Sequence, residues 1–188
     1  MVAISLFISV LSLIVSVLTA WFTLFRRGTL AMTQPSIVFF GFDFTPQQTA
    51  KIFLRTLLYS TAHRGQMIEQ MYARVHRDRE TRTFAFWGYA EAEKLSPGSG
   101  LYVSQTGIVA NHHFVLSAHQ KPYAFEAGHY SIEVFARMVG RKSPVRLACI
   151  EIVLSPEDSR TLDQAKGVLF EFDPDADTYI GCPRDARP

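Results

Sequence analysis

The N-terminal apolar segment constrains this chain more than any other feature. Its first 25 residues contain no Lys, Arg, Asp, Glu or His. A helix of that length measures about 37 Å, which exceeds the roughly 30 Å hydrocarbon core of a bilayer. A signal peptide would begin with basic residues and end in a small-x-small cleavage site, whereas here Trp21, Phe22 and Phe25 extend the apolar run as an aromatic belt. We predict that residues 1–27 form a retained transmembrane helix with its flanking arginines.

Two basic residues at the end of this segment indicate its orientation. Arg26 and Arg27 follow the apolar run at once, and only the α-amino group precedes it. The positive-inside rule therefore predicts a single-pass protein of the inner (cell) membrane, with its N-terminus outside and its C-terminal domain in the cytoplasm. With these two arginines set aside, 17 of the 19 basic residues remain and balance the 17 acidic ones. The lipid bilayer is the expected partner, and the charge balance gives no indication of nucleic-acid binding.

Every hydroxyl residue of the apolar segment lies on one helical face. The spacings between them are 4, 3, 4, 3 and 4 residues, for Ser5, Ser9, Ser12, Ser16, Thr19 and Thr23. Small hydroxyl residues let two transmembrane helices approach closely, so we predict packing against a protein partner or a second copy of the chain. The alternative is that each hydroxyl bonds a carbonyl of its own helix four residues back.

The rest of the chain has the length of one domain and the pattern of a β protein. We predict a linker over 28–34 and a domain over 35–188. Short runs rich in Ile, Val, Phe and Tyr predict strands over 36–40, 50–59, 81–89, 101–104, 108–116, 130–139, 146–154, 168–172 and 178–181. In the run 81–89, Phe84 and Phe86 are expected to lie on the same face of the strand. Residues 50–59, like the further run 66–76, also have a helical period, but their composition and the Gly65 turn favour strands.

One short helix is predicted near the C-terminus. Ser155 is a favourable N-cap, Pro156 suits the first helical position, and Asp158 adds an acid in the first turn. We expect the helix to run to about residue 165 and to end at Gly167.

The segment 127–134 resembles the tyrosine corner of immunoglobulin-like domains, in which a Tyr at the start of a late strand returns its hydroxyl to the backbone. The resemblance implies an antiparallel immunoglobulin-like β-sandwich with Tyr130 as the corner residue. The chain also resembles uncharacterised bacterial membrane-anchored sandwich proteins in the order of its parts. These are a span with a stripe of hydroxyl residues, an Arg-Arg-Gly sequence at its end, and the strands that follow. This resemblance implies no activity. Cys149 and Cys182 do not form a disulfide framework and are expected to be free thiols.

Four histidines within 18 residues are the best candidate for a metal site: His112, His113, His119 and His129. Adjacent residues of a strand point to opposite faces, so His112 and His113 cannot both line one site without a bulge. The carboxylates of 173–177 alternate as in a calcium loop, but Thr178 stands where that loop requires Gly, which favours a solvated hairpin turn.

Basic residues cluster around a predicted turn and are followed by aromatic ones: Arg74, His76, Arg77, Arg79 and Arg82. Because Asp78 and Glu80 interrupt this cluster, we expect a solvated turn first, contact with anionic lipid second and nucleic acid only a distant third.

No catalytic motif or cofactor motif is found in the sequence. The sequence therefore predicts a membrane-anchored, non-enzymatic protein-interaction module on the cytoplasmic face, without a cofactor. The alternative is a metal-dependent hydrolytic enzyme that uses the histidines between His112 and His129.

Overall fold

A computed structural model describes residues 2–25, 28–43, 48–90, 96–98, 100–117 and 119–184. Helix α1 (Val2–Ala20) continues as a π-helical turn (Trp21–Phe25), and α2 is Pro156–Asp163. The strands are β1 (Leu30–Met32), β2 (Ile37–Asp43), β3 (Thr49–Ser60), β4 (Gln66–Arg77), β5 (Glu80–Phe84), β6 (Phe86–Ala90), β7 (Ser96–Pro97), β8 (Leu101–Val103), β9 (Ile108–Val115), β10 (Gly128–Met138), β11 (Val145–Leu154), β12 (Gly167–Asp173) and β13 (Thr178–Arg184).

The N-terminal helix is long and apolar enough to cross a bilayer over Val2–Thr23, with none of that span buried against the domain. Its apolar side chains are about half exposed or more, as for Phe7 and Leu13. This confirms the predicted apolar helix, while Arg26 and Arg27 lie outside the described residues.

The strands form two antiparallel sheets. In sheet A the order is β13-β12-β2-β3-β9-β6-β7, and β1 pairs with β3 beside β2. In sheet B the order is β11-β10-β4-β5, and β8 also pairs with β4. The mainly-β fold with an N-terminal helix is confirmed, and so are the strands predicted over 50–59 and 66–76, because branched and aromatic side chains suit a half-buried pleated surface.

The inner faces of the two sheets bury a common core. At its centre Phe40 of β2 stacks on Phe125 at 4.8 Å and meets Tyr130 of β10 and Phe170 of β12 edge-on at 5.4 and 5.2 Å between ring centroids. All four side chains are at most 1% exposed. Edge-to-face and offset ring pairs add to the free energy of burial, so this aromatic cluster holds β2 and β12 of sheet A against β10 of sheet B.

The strand predicted over 81–89 is two strands in different sheets. β5 pairs with β4 in sheet B, β6 pairs with β9 in sheet A, and only Ala85 separates them. The change of sheet reverses the expected alternation: Phe84 is fully buried and Phe86 is 56% exposed. The prediction that these two rings share a face is therefore wrong.

The segment predicted as a linker contributes to sheet A. Leu30 of β1 pairs with Ser60, and Gly28 is buried with its carbonyl accepting from Gln66 Nε2 and Arg141 Nη2, both at 3.2 Å. A Cβ on Gly28 would lie 2.7 Å from the backbone nitrogen of Ala62. In the described part of the chain, packing against the domain therefore includes residues before 35, from Gly28 onward.

Helix α2 begins as predicted. Ser155 caps it by accepting from the backbone N–H of Asp158 at 3.0 Å. Its end differs, because the helix stops at Asp163 and the residue with positive φ is Ala165 (φ 59°), while Gly167 opens β12.

The sandwich has two ends, which lie at opposite ends of β4. We call the end that contains Gly28, the end of β3 and the start of β4 the proximal end. The distal end contains the turn between β4 and β5. Since β4 has 12 residues, the two ends are about 36 Å apart at 3.3 Å per residue.

Candidate functional site

The four candidate metal ligands are not brought together. His112 pairs with Leu54 and faces the core, whereas His113 pairs with Phe53 and faces outward, as strand alternation predicts. His119 and His129 are exposed. Within the described ranges, no three His, Cys, Asp or Glu side chains are grouped closely enough to hold a metal ion.

His112 is a buried histidine of the core. The indole Nε1–H of Trp87 donates to its Nδ1 at 3.2 Å, and the two rings are nearly parallel with centroids 6.1 Å apart. Burial, and then the neighbouring His113, lowers the pKa of His112 to about 4. Its imidazole is therefore neutral at physiological pH and serves as an acceptor for Trp87.

His113 belongs to a small polar group on the outer face of sheet A. It stacks on Phe53 at 5.1 Å, and burial followed by the charge of Lys51 lowers its pKa to about 4, against an opposing effect of Asp43. Burial also lowers the pKa of Lys51. Among the described residues His113 Nδ1 and Asn111 Oδ1 are buried without a hydrogen-bond partner. The imidazole of His113 and the amide of Asn111 can exchange hydrogen bonds with a ligand but do not form a nucleophile and base pair.

The outer face of sheet B carries an ion-pair network. Glu133 of β10 accepts from Arg146 Nη1 at 2.8 Å and contacts His76 Nε2 at 3.2 Å. Hydrogen bonds from Arg146 and then His76 lower the pKa of the Glu133 carboxyl. Since the carboxylate of Glu133 has a cationic or polar partner on each neighbouring strand, its contacts link β10 to β11 and to β4.

The basic cluster predicted around residue 78 is divided between surfaces. Arg74 lies over the ring of Phe135 at 5.0 Å on the outer face, Arg77 is largely buried with Nη2 2.8 Å from Glu126, and Arg82 pairs with Glu80 at 2.8 Å. The turn itself lies at the distal end, about 36 Å along β4 from Gln66, whose side chain bonds the Gly28 carbonyl. The acidic partners of Arg77 and Arg82 reduce the net positive charge of this cluster, which favours a solvated turn.

Tyr130 lies at the start of β10 and is fully buried. Its hydroxyl donates to the backbone carbonyl of Glu126 at 2.6 Å. Burial raises the pKa of this phenol, which keeps the hydroxyl as a donor. The acidic turn after β12 is a local structure as well, because Asp173 Oδ1 accepts from the backbone N–H of Asp175 at 2.9 Å.

Hydroxyls of the striped helix face bond to their own helix. Ser9 donates to the carbonyl of Ser5 at 2.9 Å, Ser16 to Ser12 at 2.8 Å and Thr19 to Val15 at 2.8 Å. Thr23 donates to Thr19 at 2.7 Å. These bonds satisfy the donors of four of the six hydroxyl residues. Their side chains are small, so close approach by the backbone of another helix remains the prediction.

A cleft between the edges of the two sheets was not predicted from the sequence. It measures about 450 Å³ and is lined by Met32, Gln34 and Pro35 on one side and by residues 147–151 of β11 on another. Asp177, in the turn before β13, and Tyr179 of β13 complete the lining. β11 is an edge strand, and in the described part of the chain it pairs only with β10. The alternation of apolar and polar residues over 146–154 predicts a strand, but it does not predict that this strand lies at the edge of its sheet.

Comparison with protein-family models, with curated proteins and with solved structures finds no match for this chain.

Proposed function

We propose that the chain is a single-pass membrane protein that carries a non-enzymatic interaction module at the cytoplasmic face of a bacterial inner membrane. The apolar helix Val2–Thr23 supports the anchor, and the sequence position of Arg26 and Arg27 supports the orientation. In this proposal the module is an immunoglobulin-like sandwich, which is supported by the bond from Tyr130 to the Glu126 carbonyl, the arrangement of a tyrosine corner.

The free edge of β11 is the observation that carries the proposed interaction. An edge strand presents unpaired N–H and C=O groups, and an extended segment of a partner can add to it as another strand. Here the edge faces the cleft lined by Met32, Pro35 and Leu147. The cleft provides apolar contacts for alternate side chains of such a segment, so the partner contributes an extended peptide and not a helix.

Charges at the cleft define the chemistry of that peptide. Glu151 and Asp177 line it, and none of the lining residues is Lys or Arg. Opposite charge steers association and suppresses wrong partners. The partner segment is therefore expected to alternate apolar residues with Lys or Arg.

The test places a photo-crosslinking residue at Gln34, an exposed position of the cleft, in full-length protein in native membranes. Leu147→Lys puts an inward charge on the edge strand and should reduce the crosslinked product at least about tenfold, a loss of roughly 1.4 kcal/mol of binding free energy. Val153→Lys is the matched control, because Val153 is 53% exposed on the same strand and does not line the cleft. Equal crosslinking in the two variants would contradict the edge as the binding site.

Orientation is tested separately with the free cysteines. Cys149 is exposed, so a membrane-impermeant thiol reagent should leave it unlabelled in intact cells and label it after lysis. Labelling from outside would overturn the cytoplasmic placement.

A further inference from the structure

A mixed basic and apolar surface lies at the proximal end, on the outer side of sheet B. We call it the proximal patch and define it by Arg64, Met67, Tyr102, Val139 and Arg141. Met67 pairs with Tyr102 across β4 and β8, and the backbone N–H of Val139 donates to the Met67 carbonyl at 3.0 Å. These three side chains are 43, 58 and 57% exposed. Exposed apolar residues on adjacent segments, with arginines at their border, mark an interaction surface.

The patch contains an open cavity of about 320 Å³ between segments 64–67 and 139–141. Both arginines line it. Arg141 uses Nη2 to donate to the Gly28 carbonyl, but a guanidinium has five N–H donors, so further donors can reach an anion. The geometry of a guanidinium suits the oxygens of a phosphate.

The segments that border the patch carry no acidic residue except at their margin, where the exposed Glu69 follows Ile68 in β4. Segments 28–36, 60–68, 101–109 and 138–146 meet at this side of the proximal end and contain no Asp or Glu, while Lys142 adds a further cation. The acidic turn 174–177 reaches the same end, but on the side where Asp177 borders the cleft between β11 and β13. The two sides of the proximal end therefore differ in the sign of their charge.

The chain itself fixes how far this surface lies from the membrane-spanning helix. Three residue steps connect Phe25, the last helical residue, with Gly28, and they cannot exceed about 11 Å. Gly28 is buried on the domain and is held by Gln66 and Arg141 of the cavity. The headgroup layer adds roughly 5 to 8 Å to each side of the hydrocarbon core, which is within this reach.

We propose that the proximal patch binds anionic phospholipid head groups of the bilayer that holds α1. Arg64 and Arg141 contact the lipid phosphates, while Tyr102, Met67 and Val139 enter the interface between head groups and acyl chains, a depth at which Tyr and Arg side chains are favoured. The inference rests on the proposed membrane anchor. It adds that the sandwich lies against the anionic leaflet in one orientation, with the cleft of β11 on a different side.

The test uses the full-length protein in nanodiscs of phosphatidylcholine, alone or mixed with phosphatidylglycerol, and measures amide hydrogen exchange. A basic residue near an anionic surface strengthens binding about fivefold. Exchange in segments 62–67 and 139–143 should therefore slow at least about fivefold when phosphatidylglycerol is present. The slowing should disappear in the double variant Arg64→Gln with Arg141→Gln, and should be largely restored in Arg64→Lys with Arg141→Lys.

The matched control is Arg79→Gln with Lys121→Gln, which removes two exposed cations of the distal end and should keep the full lipid effect. Equal exchange of wild-type protein in the two lipid mixtures, with the protein still retained in the disc, would overturn the patch and leave the anchor intact. Protein that is not retained in the disc would overturn the anchor and the patch together. A lipid effect that survives in the double glutamine variant would also overturn the patch.

Discussion

The two ends of the sandwich use arginine in different ways. At the distal end Arg77 is largely buried and pairs with Glu126, and Arg82 pairs with Glu80. At the proximal end Arg64 is exposed, with Glu69 as the nearest acidic residue in sequence, and Arg141 binds a backbone carbonyl. Paired arginines stabilise a fold, whereas arginines without carboxylates remain available for an external anion. The difference indicates that internal contacts hold the two distal arginines, and it supports our proposal that the proximal arginines bind lipid head groups.

The largest expected effect comes from His112, a core residue that belongs to neither end. Its contribution to stability is the reference against which the changes at the two ends are compared. His112 has a pKa of about 4 in the folded protein against 6.5 when unfolded. The unfolded state therefore binds more protons between these values, and stability should fall by about 3 kcal/mol as the pH drops from 6.5 to 4. Urea unfolding of the full chain in detergent measures this. His112→Gln should remove the share of His112 and leave that of His113, whose pKa is also lowered to about 4. The same pH dependence in wild type and His112→Gln would contradict this assignment.

The next effect tests the docking of the proximal end. In Gly28→Ala the new Cβ would lie 2.6 Å from the Cβ of Ala62 and 2.7 Å from its backbone nitrogen, so β1 must shift. We expect a loss of about 2 kcal/mol and faster hydrogen exchange at Thr61, whose N–H donates to the Thr29 carbonyl. Thr29→Ser keeps the hydroxyl contact with Thr61 and should behave as wild type. An unchanged exchange rate in Gly28→Ala would show that this end is not docked in solution.

A smaller effect tests the closure of the distal end. Tyr130→Phe removes the bond to the Glu126 carbonyl while keeping the ring against Phe40, so unfolding should become easier by about 1 kcal/mol. The matched control is Tyr102→Phe at the proximal patch, where the side chain is 58% exposed and the change should be near zero. Equal thermal shifts for the two variants would break the distinction between a closed and an open end.

The smallest expected effect on stability belongs to the patch itself. Arg64→Gln should change the free energy of unfolding in detergent by less than about 0.5 kcal/mol, because the side chain is exposed. Arg77→Gln at the distal end should cost more, since it removes the contact with Glu126 and the packing of a side chain that is only 14% exposed. Chemical denaturation of both variants provides the comparison, and a larger loss in Arg64→Gln would contradict it.

The sequence predicted the elements whose patterns are local. Alternation over 130–139 and 146–154 places β10 and β11 within two residues of their ends, and the adjacency of His112 and His113 was enough to separate them onto two faces. Ser155 with Pro156 located the start of α2, because an N-cap is a property of a few consecutive residues.

Features that depend on contacts between distant segments could not be predicted. β1 has only three residues, which is too short for an alternating pattern of apolar and polar residues. It is identified as a strand only by its pairing, which includes Leu30 with Ser60. Ala85 carries no turn signal where the chain changes sheets. The cleft at β11 and the proximal patch are each assembled from three or more segments, so their residues are adjacent only in the folded domain.

The pairing of β2 with β12 has a consequence for how this protein is made. Phe40, near the start of the domain sequence, pairs with Val168, near its end, and β13 then completes the edge of sheet A. Helix α1 leaves the ribosome well before β12, so sheet A can close only after the chain has been synthesised through β12 and β13. If α1 is the proposed membrane anchor, it can be inserted before the domain folds, and Phe40 and its neighbours in β2 then lack their β12 partners during that interval and can bind a chaperone that recognises extended apolar chain.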